Sequence, residues 1–228
     1  MNHFHPSAPA GNARLSEELE GLMDRFSSVQ CRYEAAISEI ETRLEILNNE
    51  YHQSHHRYPI HHMENRIKSI PSIIQKLRRK GIPPTIENAL QELHDIAGVR
   101  VICSYLRDIQ TISGLLTGQE TLRVVQVRDY ISVPKSNGYR SLHIVVDVPV
   151  YLAEGKIWVP VEIQFRTIAM DFWASLEHNL RYKASDTVPV HIAEELLQTA
   201  QDITVLDSRM QSIHDRLEEI ADRQDREE

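Results

Sequence analysis

Two carboxylates occupy positions where predicted β structure could present them to a metal ion. Asp95 opens the apolar run DIAGVRVICSY, and Glu162 lies inside the run IWVPVEIQFR. In the second run apolar and polar residues alternate, which predicts a strand with one buried face. Mg²⁺ is commonly held by one or two carboxylates together with substrate phosphates, so such a pair is sufficient. From spacing alone, the favoured interpretation of Glu162 is a position on the solvated outer face of an antiparallel sheet.

Two basic segments could bind anionic substrates. The stretch from Arg66 to Lys80 contains six Lys and Arg residues and no acid, and Arg100 follows it. The segment RDYISVPKSNGYRSLH, residues 128–143, places basic residues around Tyr130 and Tyr139. A flexible basic loop with an aromatic ring suits a nucleotide whose base stacks on that ring. Each signal is weak alone, because a basic helix is usually a solvated face. Together they predict two anionic substrates that meet at a magnesium ion.

Several other chemistries are disfavoured by the motifs. The chain has neither a GxxxxGK[ST] loop nor a GxGxxG turn, and no Ser/His/Asp triad is legible. His94-Asp95 and His214-Asp215 spell HD but lie in contexts unlike a helical HD phosphohydrolase. Five histidines between Tyr51 and His62 could hold zinc, although solvated histidines in a connection are the favoured interpretation. Two distant cysteines give neither a disulfide framework nor a CxxC metal site.

The overall composition narrows the partners and the location. The 228 residues are 41% apolar and carry a formal charge of -8, so no general attraction to nucleic acid is expected. No apolar run approaches the length of a membrane span. The first residues lack the apolar core of a signal peptide. We therefore expect a cytoplasmic protein without a membrane or a stable nucleic-acid partner.

The periodicity predicts an α+β (mixed α/β) fold in one domain, residues 14–225, after a disordered tail at 1–13. A central mixed sheet of four to five strands is expected, flanked by helices. The predicted strands begin near Asp95 and cover 122–131, 141–150 and 157–166. The predicted helices cover 14–50, 60–79, 85–93, 107–116, a segment after Thr167, and 189–222. The two terminal helices are long for such a domain, so their apolar stripes predict a homo-oligomer.

Three motifs resemble the synthetase domain of the RelA/SpoT family, and most closely its small RelP-type members. They are ELHDIAGVRVICSY, RDYISVPKSNGYRSLH and VEIQFRTIAMDFWASLEHNLRYK, and the similarity extends from about residue 30 to about residue 215. The resemblance implies a fold related to the nucleotidyltransferases. It implies transfer of pyrophosphate from ATP to the 3′-hydroxyl of GDP or GTP, which yields ppGpp or pppGpp and AMP. It also implies a homotetramer.

The resemblance implies a role for each matching residue. Asp95 and Glu162 would bind Mg²⁺, and Glu162 would also act as the base on the 3′-hydroxyl. The ATP phosphates would be held by Arg66, Lys68, Ser72 and Lys76, with Arg79 and Arg100 beside the adenine. Tyr139 would stack on guanine. The remaining acceptor contacts would come from Arg128, Lys135, Asn137, His143 and Gln164.

One assignment conflicts with strand geometry. Asp95 and Arg100 are five residues apart, so in an unbroken strand they would face opposite sides of the sheet. We therefore expect the strand to begin after Asp95, with a bend eased by Gly98.

Two other functions remain open from the sequence. A nucleotidyltransferase that adds a nucleoside monophosphate to a hydroxyl would release pyrophosphate, but such enzymes usually carry a closely spaced acidic pair, which Asp95-Ile96-Ala97 does not supply. A catalytically inactive nucleotide- or RNA-binding module is the non-enzymatic alternative. The acidic balance of the chain disfavours RNA, and the presence of both carboxylates disfavours an inactive site.

Overall fold

The computed structural model describes residues 10–183 and 189–227, and it describes side chains from Val29 onwards except at 181–188, 222 and 224–228. The helices are α1 (Ala10–His55), α2 (Ile70–Arg79), α3 (Ile86–Glu92), α4 (Leu106–Thr117), α5 (Ile168–Lys183) and α6 (Val190–Glu227). The strands are β1 (Ile60–Ile67), β2 (Ala97–Cys103), β3 (Arg123–Asp129), β4 (Leu142–Leu152) and β5 (Gly155–Thr167). The predicted mixed α/β class with two long terminal helices is confirmed.

The five strands form one mixed sheet in the order β1-β2-β5-β4-β3. β2 and β5 run parallel, while the other three neighbouring pairs are antiparallel. β4 and β5 form a long hairpin whose turn contains Gly155 at φ 122, a left-handed conformation that glycine adopts without a Cβ penalty. The strand that carries Glu162 therefore lies at the centre of the sheet.

The core fills one face of this sheet. The alternating residues Val159, Val161, Ile163 and Phe165 of β5 are buried there, as their spacing predicted. α1 contributes Ile40 and Leu44, which are fully buried against the sheet, and α4 contributes Ile112 and Leu116. Burying an aliphatic side chain of this size stabilises the fold by roughly 1.5–3 kcal/mol. The polar face of β5 is thereby turned away from α1.

The helix predicted over 60–79 is wrong in its first half. Residues 60–67 form β1, an edge strand that pairs with β2 in antiparallel register, and α2 begins only at Ile70. Pro71 marks the true start of the helix, where its missing N–H costs nothing. The hydrogen bonds of the β1–β2 ladder outweighed the apparent helical spacing of Ile67, Ile70 and Ile74. The predicted connection over residues 51–62 shortens to 56–59.

The other boundaries agree within a few residues, and β2 begins at Ala97, after Asp95, as expected. α1 continues through Ser27 and Ser28 without a break. The predicted tail at 1–13 overlaps the first turn of α1, and residues 1–9 lie outside the described residues. None of the described helices is long and apolar enough to cross a bilayer.

Candidate active site

The candidate residues form two parallel rows across the polar face of the sheet. The strand register aligns Glu64, Arg100, Gln164, His143 and Arg128 in one row that crosses all five strands. The next row, two residues along each strand, aligns Arg66, Gly98 and Glu162. Residues two apart on a strand share a face, so the two rows are neighbours. The ATP candidates Arg66 and Arg100 lie towards the β1 edge, and the acceptor candidates His143 and Arg128 lie towards the β3 edge.

Asp95 lies just before β2, beside two lysines. The Nζ atoms of Lys68 and Lys76 each donate to Asp95 Oδ2 at 2.5 Å. Burial alone would raise the pKa of Asp95, but these hydrogen bonds and the two positive charges lower it below its ordinary value. Burial lowers the pKa of Lys68 despite its contact with Asp95. The described structure thus brings together three of the residues predicted to act on the ATP phosphates or the metal.

The second oxygen of Asp95 fits a metal ligand. Oδ1 is buried and has no hydrogen-bond partner in the described part of the chain. An unpartnered buried carboxylate oxygen is costly unless a cation or a donor completes it. Asp95 and Glu162 are close enough for the charge of Asp95 to raise the pKa of Glu162. This pair fits Mg²⁺, which needs few protein ligands when substrate phosphates supply the others.

Both oxygens of Glu162 are positioned by neighbouring side chains. Oε1 lies 3.3 Å from His143 Nδ1, and Gln164 Nε2 donates to Oε2 at 2.7 Å. Burial raises the pKa of Glu162, but the hydrogen bond and charge of His143, followed by the bond from Gln164, outweigh it and lower the pKa overall. Glu162 is therefore ionised at neutral pH, as both a metal ligand and a base require.

A hollow of about 80 Å³, lined mainly by polar residues, lies beside Glu162 at the β1 edge. Its lining includes Arg66, Arg100 and Gln164 together with the backbone of Gly98. A Cβ added at Gly98 would lie 3.8 Å from both the Arg66 side chain and the Glu162 carbonyl oxygen, which is ordinary van der Waals contact. Arg100 is held by Glu64, which accepts from its NH1 at 2.9 Å, and by Asp171 at 3.6 Å.

Two further predicted ATP residues on α2, besides Lys76, also lie outside this hollow. Ser72 is exposed, and its hydroxyl lies 2.9 Å from that of Ser69 near the start of the helix. Arg79 is exposed in the last turn. The geometry therefore pairs Arg66 with Arg100 across the hollow, whereas the predicted pairing of Arg79 with Arg100 has no support from the lining residues.

The loop between β3 and β4, residues 130–141, presents the acceptor candidates. The Tyr139 hydroxyl lies 2.8 Å from His143 Nε2 and accepts from Arg166 NH2 at 2.7 Å. Lys135 Nζ lies 4.6 Å from the ring centre of Tyr130 and 4.7 Å from that of Tyr139. These contacts place two aromatic rings and one cation beside His143, whose Nδ1 faces Glu162.

Asn137 ties the acceptor loop to α5. Its side chain donates to Glu177 at 3.0 Å and accepts from the Tyr139 backbone N–H at 3.2 Å. Arg128 is exposed on the edge strand β3, next to His143 in the register.

Four further polar residues contact the candidate residues, although the sequence assigned them no role: Glu64, Arg166, Asp171 and Glu177. Arg166 is buried and donates to Asp171, Tyr139 and Gln164 at 2.8, 2.7 and 3.3 Å. Its place on the polar face of β5 was visible, but its partners depend on α5 and on the loop. Glu64 was hidden by the incorrect helix over 60–79, and Glu177 by its position on a helix far along the chain.

The histidines of residues 52–62 do not form a metal cluster in the described structure. His52 and His55 stack on Tyr58 and Tyr51, and His61 Nδ1 lies 2.9 Å from His62 Nδ1. Among the described residues, no group of three or more His, Cys, Asp or Glu side chains converges on a metal position. The phosphates of a substrate would have to complete the coordination at Asp95 and Glu162.

Comparisons with known proteins identify the family of this chain. The model of the "Region found in RelA / SpoT proteins" matches residues 65–187, more than half of the chain. The chain is 43% identical over 197 residues to GTP pyrophosphokinase YwaC of Bacillus subtilis, covering 86% of this chain and 94% of the relative.

Solved structures give the same result. The small alarmone synthetase 1 of Bacillus subtilis bound to its product pppGpp superposes with a TM-score of 0.78 at 35% identity, over 85% of this chain and 98% of that chain. The same synthetase bound to AMPCPP gives a TM-score of 0.72 at 31% identity, over 86% and 98% of the two chains. The chain therefore belongs to the RelA/SpoT family, and its relatives in sequence and structure are small alarmone synthetases.

Proposed function

We propose that this protein is a (p)ppGpp synthetase of the stringent response, a GTP diphosphokinase that transfers pyrophosphate from ATP to the 3′-hydroxyl of GDP or GTP. The observation that carries the proposal is the arrangement of the two rows. Glu162 lies between cationic residues towards β1, which suit one nucleotide, and the aromatic loop towards β3, which suits another. The relatives are named for this activity.

The ATP subsite extends from the hollow to Asp95. Arg66 and Arg100 line the hollow and suit an adenine between their guanidinium groups, which stack on aromatic faces. Lys68 and Lys76 would move from Asp95 to the phosphates, with Ser72 as a further donor and Arg79 at the end of the same helix. Phosphoryl-type transfer depends mainly on positioning and charge neutralisation, which these cations supply.

The acceptor subsite lies on the other side of Glu162. Tyr139 offers a ring for guanine, and stacking of this kind contributes about 1–3 kcal/mol. Arg128, Lys135, Asn137, His143 and Gln164 offer donors to the base, ribose and phosphates. With the ribose held here, Glu162 takes the proton of the 3′-hydroxyl, which then attacks the β-phosphate of ATP. The bond from the β-phosphate to the α-phosphate oxygen breaks, and AMP leaves.

Mg²⁺ is the proposed cofactor, with Asp95 and Glu162 as its protein ligands. When bound, the ion would neutralise the developing phosphate charge. The unpartnered Asp95 Oδ1 and the lowered pKa of both carboxylates support this assignment.

We propose that the protein forms a homo-oligomer, most simply a tetramer, in the cytoplasm. α6 has 38 residues, so it is about 57 Å long, whereas five strands span only about 20 Å. Its stripe of Leu206, Met210, Leu217 and Ile220 is 45–60% exposed within one chain. An exposed apolar stripe of this size is typical of an interface.

The products of the reaction separate this proposal from the alternatives. With ATP, Mg²⁺ and GDP or GTP, the synthetase should release AMP, whereas a nucleotidyltransferase should release pyrophosphate. Chromatography of the quenched reaction measures both. Release of pyrophosphate without AMP would refute the proposal, and nucleotide binding with no product at all would indicate an inactive binding module.

A further inference from the structure

One face of α6 lies against the acceptor loop. Ala200, Ile203, Thr204 and Asp207 are spaced by three and four residues, so they share one side of the helix. Ala200 contacts Gly138, where an added Cβ would come within 2.5 Å of the Ala200 Cβ. Ile203 and Ala200 also form a small apolar cluster with Tyr139, Trp173 and Ala174. Gly138 and Tyr139 of the acceptor loop therefore pack against α6.

Asp207 lies at the end of this face and is almost completely buried. Its side chain is 5% exposed and that of Arg140 is 10% exposed. Thr167 Oγ1 donates to Asp207 Oδ2 at 2.8 Å, and Arg140 NH1 lies 3.8 Å from the same oxygen. Arg140 NH1 also donates to Thr204 at 3.2 Å. A buried charge remains in a fold only when it is paired or hydrogen-bonded in this way.

The two partners of Asp207 lie next to the active site in the sequence. Arg140 follows Tyr139, and Thr167 follows Arg166, which donates to the Tyr139 hydroxyl. Thr167 also accepts from the Met170 backbone N–H at 3.2 Å and so caps α5, the helix that supplies Asp171 and Glu177. Asp207 thus contacts both chain segments that hold Tyr139, although none of its hydrogen bonds or ion pairs in the described part of the chain involves a candidate substrate-binding side chain.

We propose that Asp207 of α6 is a positioning residue for the acceptor nucleotide. Through Arg140 and Thr167 it holds Tyr139 and the loop in the conformation that binds guanine. This inference rests on the proposed function, because it assigns the loop to GDP or GTP. It also links acceptor binding to a helix whose neighbouring stripe is exposed. Among the described hydrogen bonds and ion pairs of Asp207 and Arg140, none involves a residue that lines the ATP hollow, so the effect is expected on the acceptor substrate.

The test is Asp207→Asn, with Asp202→Asn as the matched control. Asp202 lies on the same helix but is exposed, and it accepts from Gln198, one turn earlier. Asparagine keeps the size of Asp207 and can still accept from Thr167, but it removes the charge that faces Arg140. Substitutions that act through a packed network typically change binding by roughly two- to thirtyfold. We expect the KM for GDP or GTP to rise within that range, with the KM for ATP unchanged.

A double-substitution cycle shows whether Asp207 acts through Arg140. Arg140→Gln should raise the acceptor KM by a similar factor, and the double variant should be no worse than either single variant. Arg140→Lys keeps the charge and should restore part of the loss. If Asp207→Asn fails to fold, as judged by circular dichroism, the two Arg140 variants carry the test.

The outcomes separate this inference from the proposed function. Equal increases in KM for both nucleotides, an effect as large in Asp202→Asn, or additive effects of Asp207→Asn and Arg140→Gln would overturn the inference. If the wild-type protein makes no product, calorimetric titration with GDP replaces kinetics. The proposed function then fails, while a raised Kd for GDP in Asp207→Asn alone would still support the positioning role, and an unchanged Kd would refute it.

Discussion

Replacing Glu162 by glutamine separates the chemistry of the site from its shape. Glutamine has almost the same size, and its amide oxygen can still accept from Gln164, which lies 2.7 Å from Oε2 in the wild-type chain. The amide nitrogen can donate to His143, whose Nδ1 lies 3.3 Å from Oε1. The substitution therefore keeps the hydrogen-bonding positions and removes only the negative charge and the basicity.

The expected loss of turnover follows from removal of the negative charge and of the basic carboxylate. A positioned general base contributes at least about 10²-fold, which corresponds to about 2.7 kcal/mol in the activation barrier. Loss of one of the two candidate Mg²⁺ ligands adds to this, so 10² is a lower bound. GDP binding measured without metal should change by less than about threefold, because the loop and Tyr139 are untouched.

Steady-state kinetics with calorimetric titration of each nucleotide measures both effects. Glu154→Gln is the control, because Glu154 is exposed in the turn between β4 and β5. A kcat for Glu162→Gln within threefold of the wild-type value would refute the roles assigned to Glu162. A parallel loss of nucleotide binding and melting temperature would show that Glu162 is structural.

Three other predictions test neighbouring parts of the account. Tyr139→Ala should raise the KM for GDP or GTP about tenfold while the KM for ATP stays constant, since stacking contributes about 1–3 kcal/mol; equal weakening of both would make Tyr139 structural. Leu206→Glu with Ile213→Glu should split the oligomer in light scattering, and a wild-type mass near 26.3 kDa would contradict the oligomer proposal. The lowered pKa of Asp95 means that its contribution to stability is present above its unfolded pKa of about 3.9 and is lost as the pH falls through its folded value. The stability difference between wild type and Asp95→Asn in urea unfolding should therefore shrink between pH 5 and pH 2, and a constant difference would count against the Lys68 and Lys76 contacts.

The sequence predicted those parts of the fold that depend on local periodicity. The alternation in β5 correctly separated the buried face from the face of Glu162. The helix predicted after Thr167 begins at Ile168, where Thr167 accepts from the Met170 backbone N–H. The apolar stripe of α1 was used only to predict an oligomer, yet its residues Ile40 and Leu44 are buried in the core. The helix predicted for residues 60–67 was wrong. These residues form an edge strand because they pair with β2, although the spacing of their apolar residues is also compatible with a helix.

The arrangement of the site could not be read from local pattern. Glu64, Arg100, Gln164, His143 and Arg128 form one row only because four separate strand registers align them. Register between distant strands is set by packing of the whole sheet, which spacing along the chain does not encode. For the same reason the sequence did not reveal the contacts of Asp207 and Arg140, which lie 67 positions apart. The resemblance to the family supplied the residue roles that periodicity could not.

The central claim is that the 3′-hydroxyl of a guanine nucleotide receives the pyrophosphate of ATP. The most direct measurement incubates the protein with Mg²⁺, ATP labelled at the γ-phosphate, and either GDP or 3′-deoxy-GDP. The account predicts that label enters the guanine nucleotide with GDP, with one AMP formed for each product molecule, and that 3′-deoxy-GDP stays unlabelled. Label in the product of 3′-deoxy-GDP, or AMP formation that does not depend on the acceptor, would contradict it.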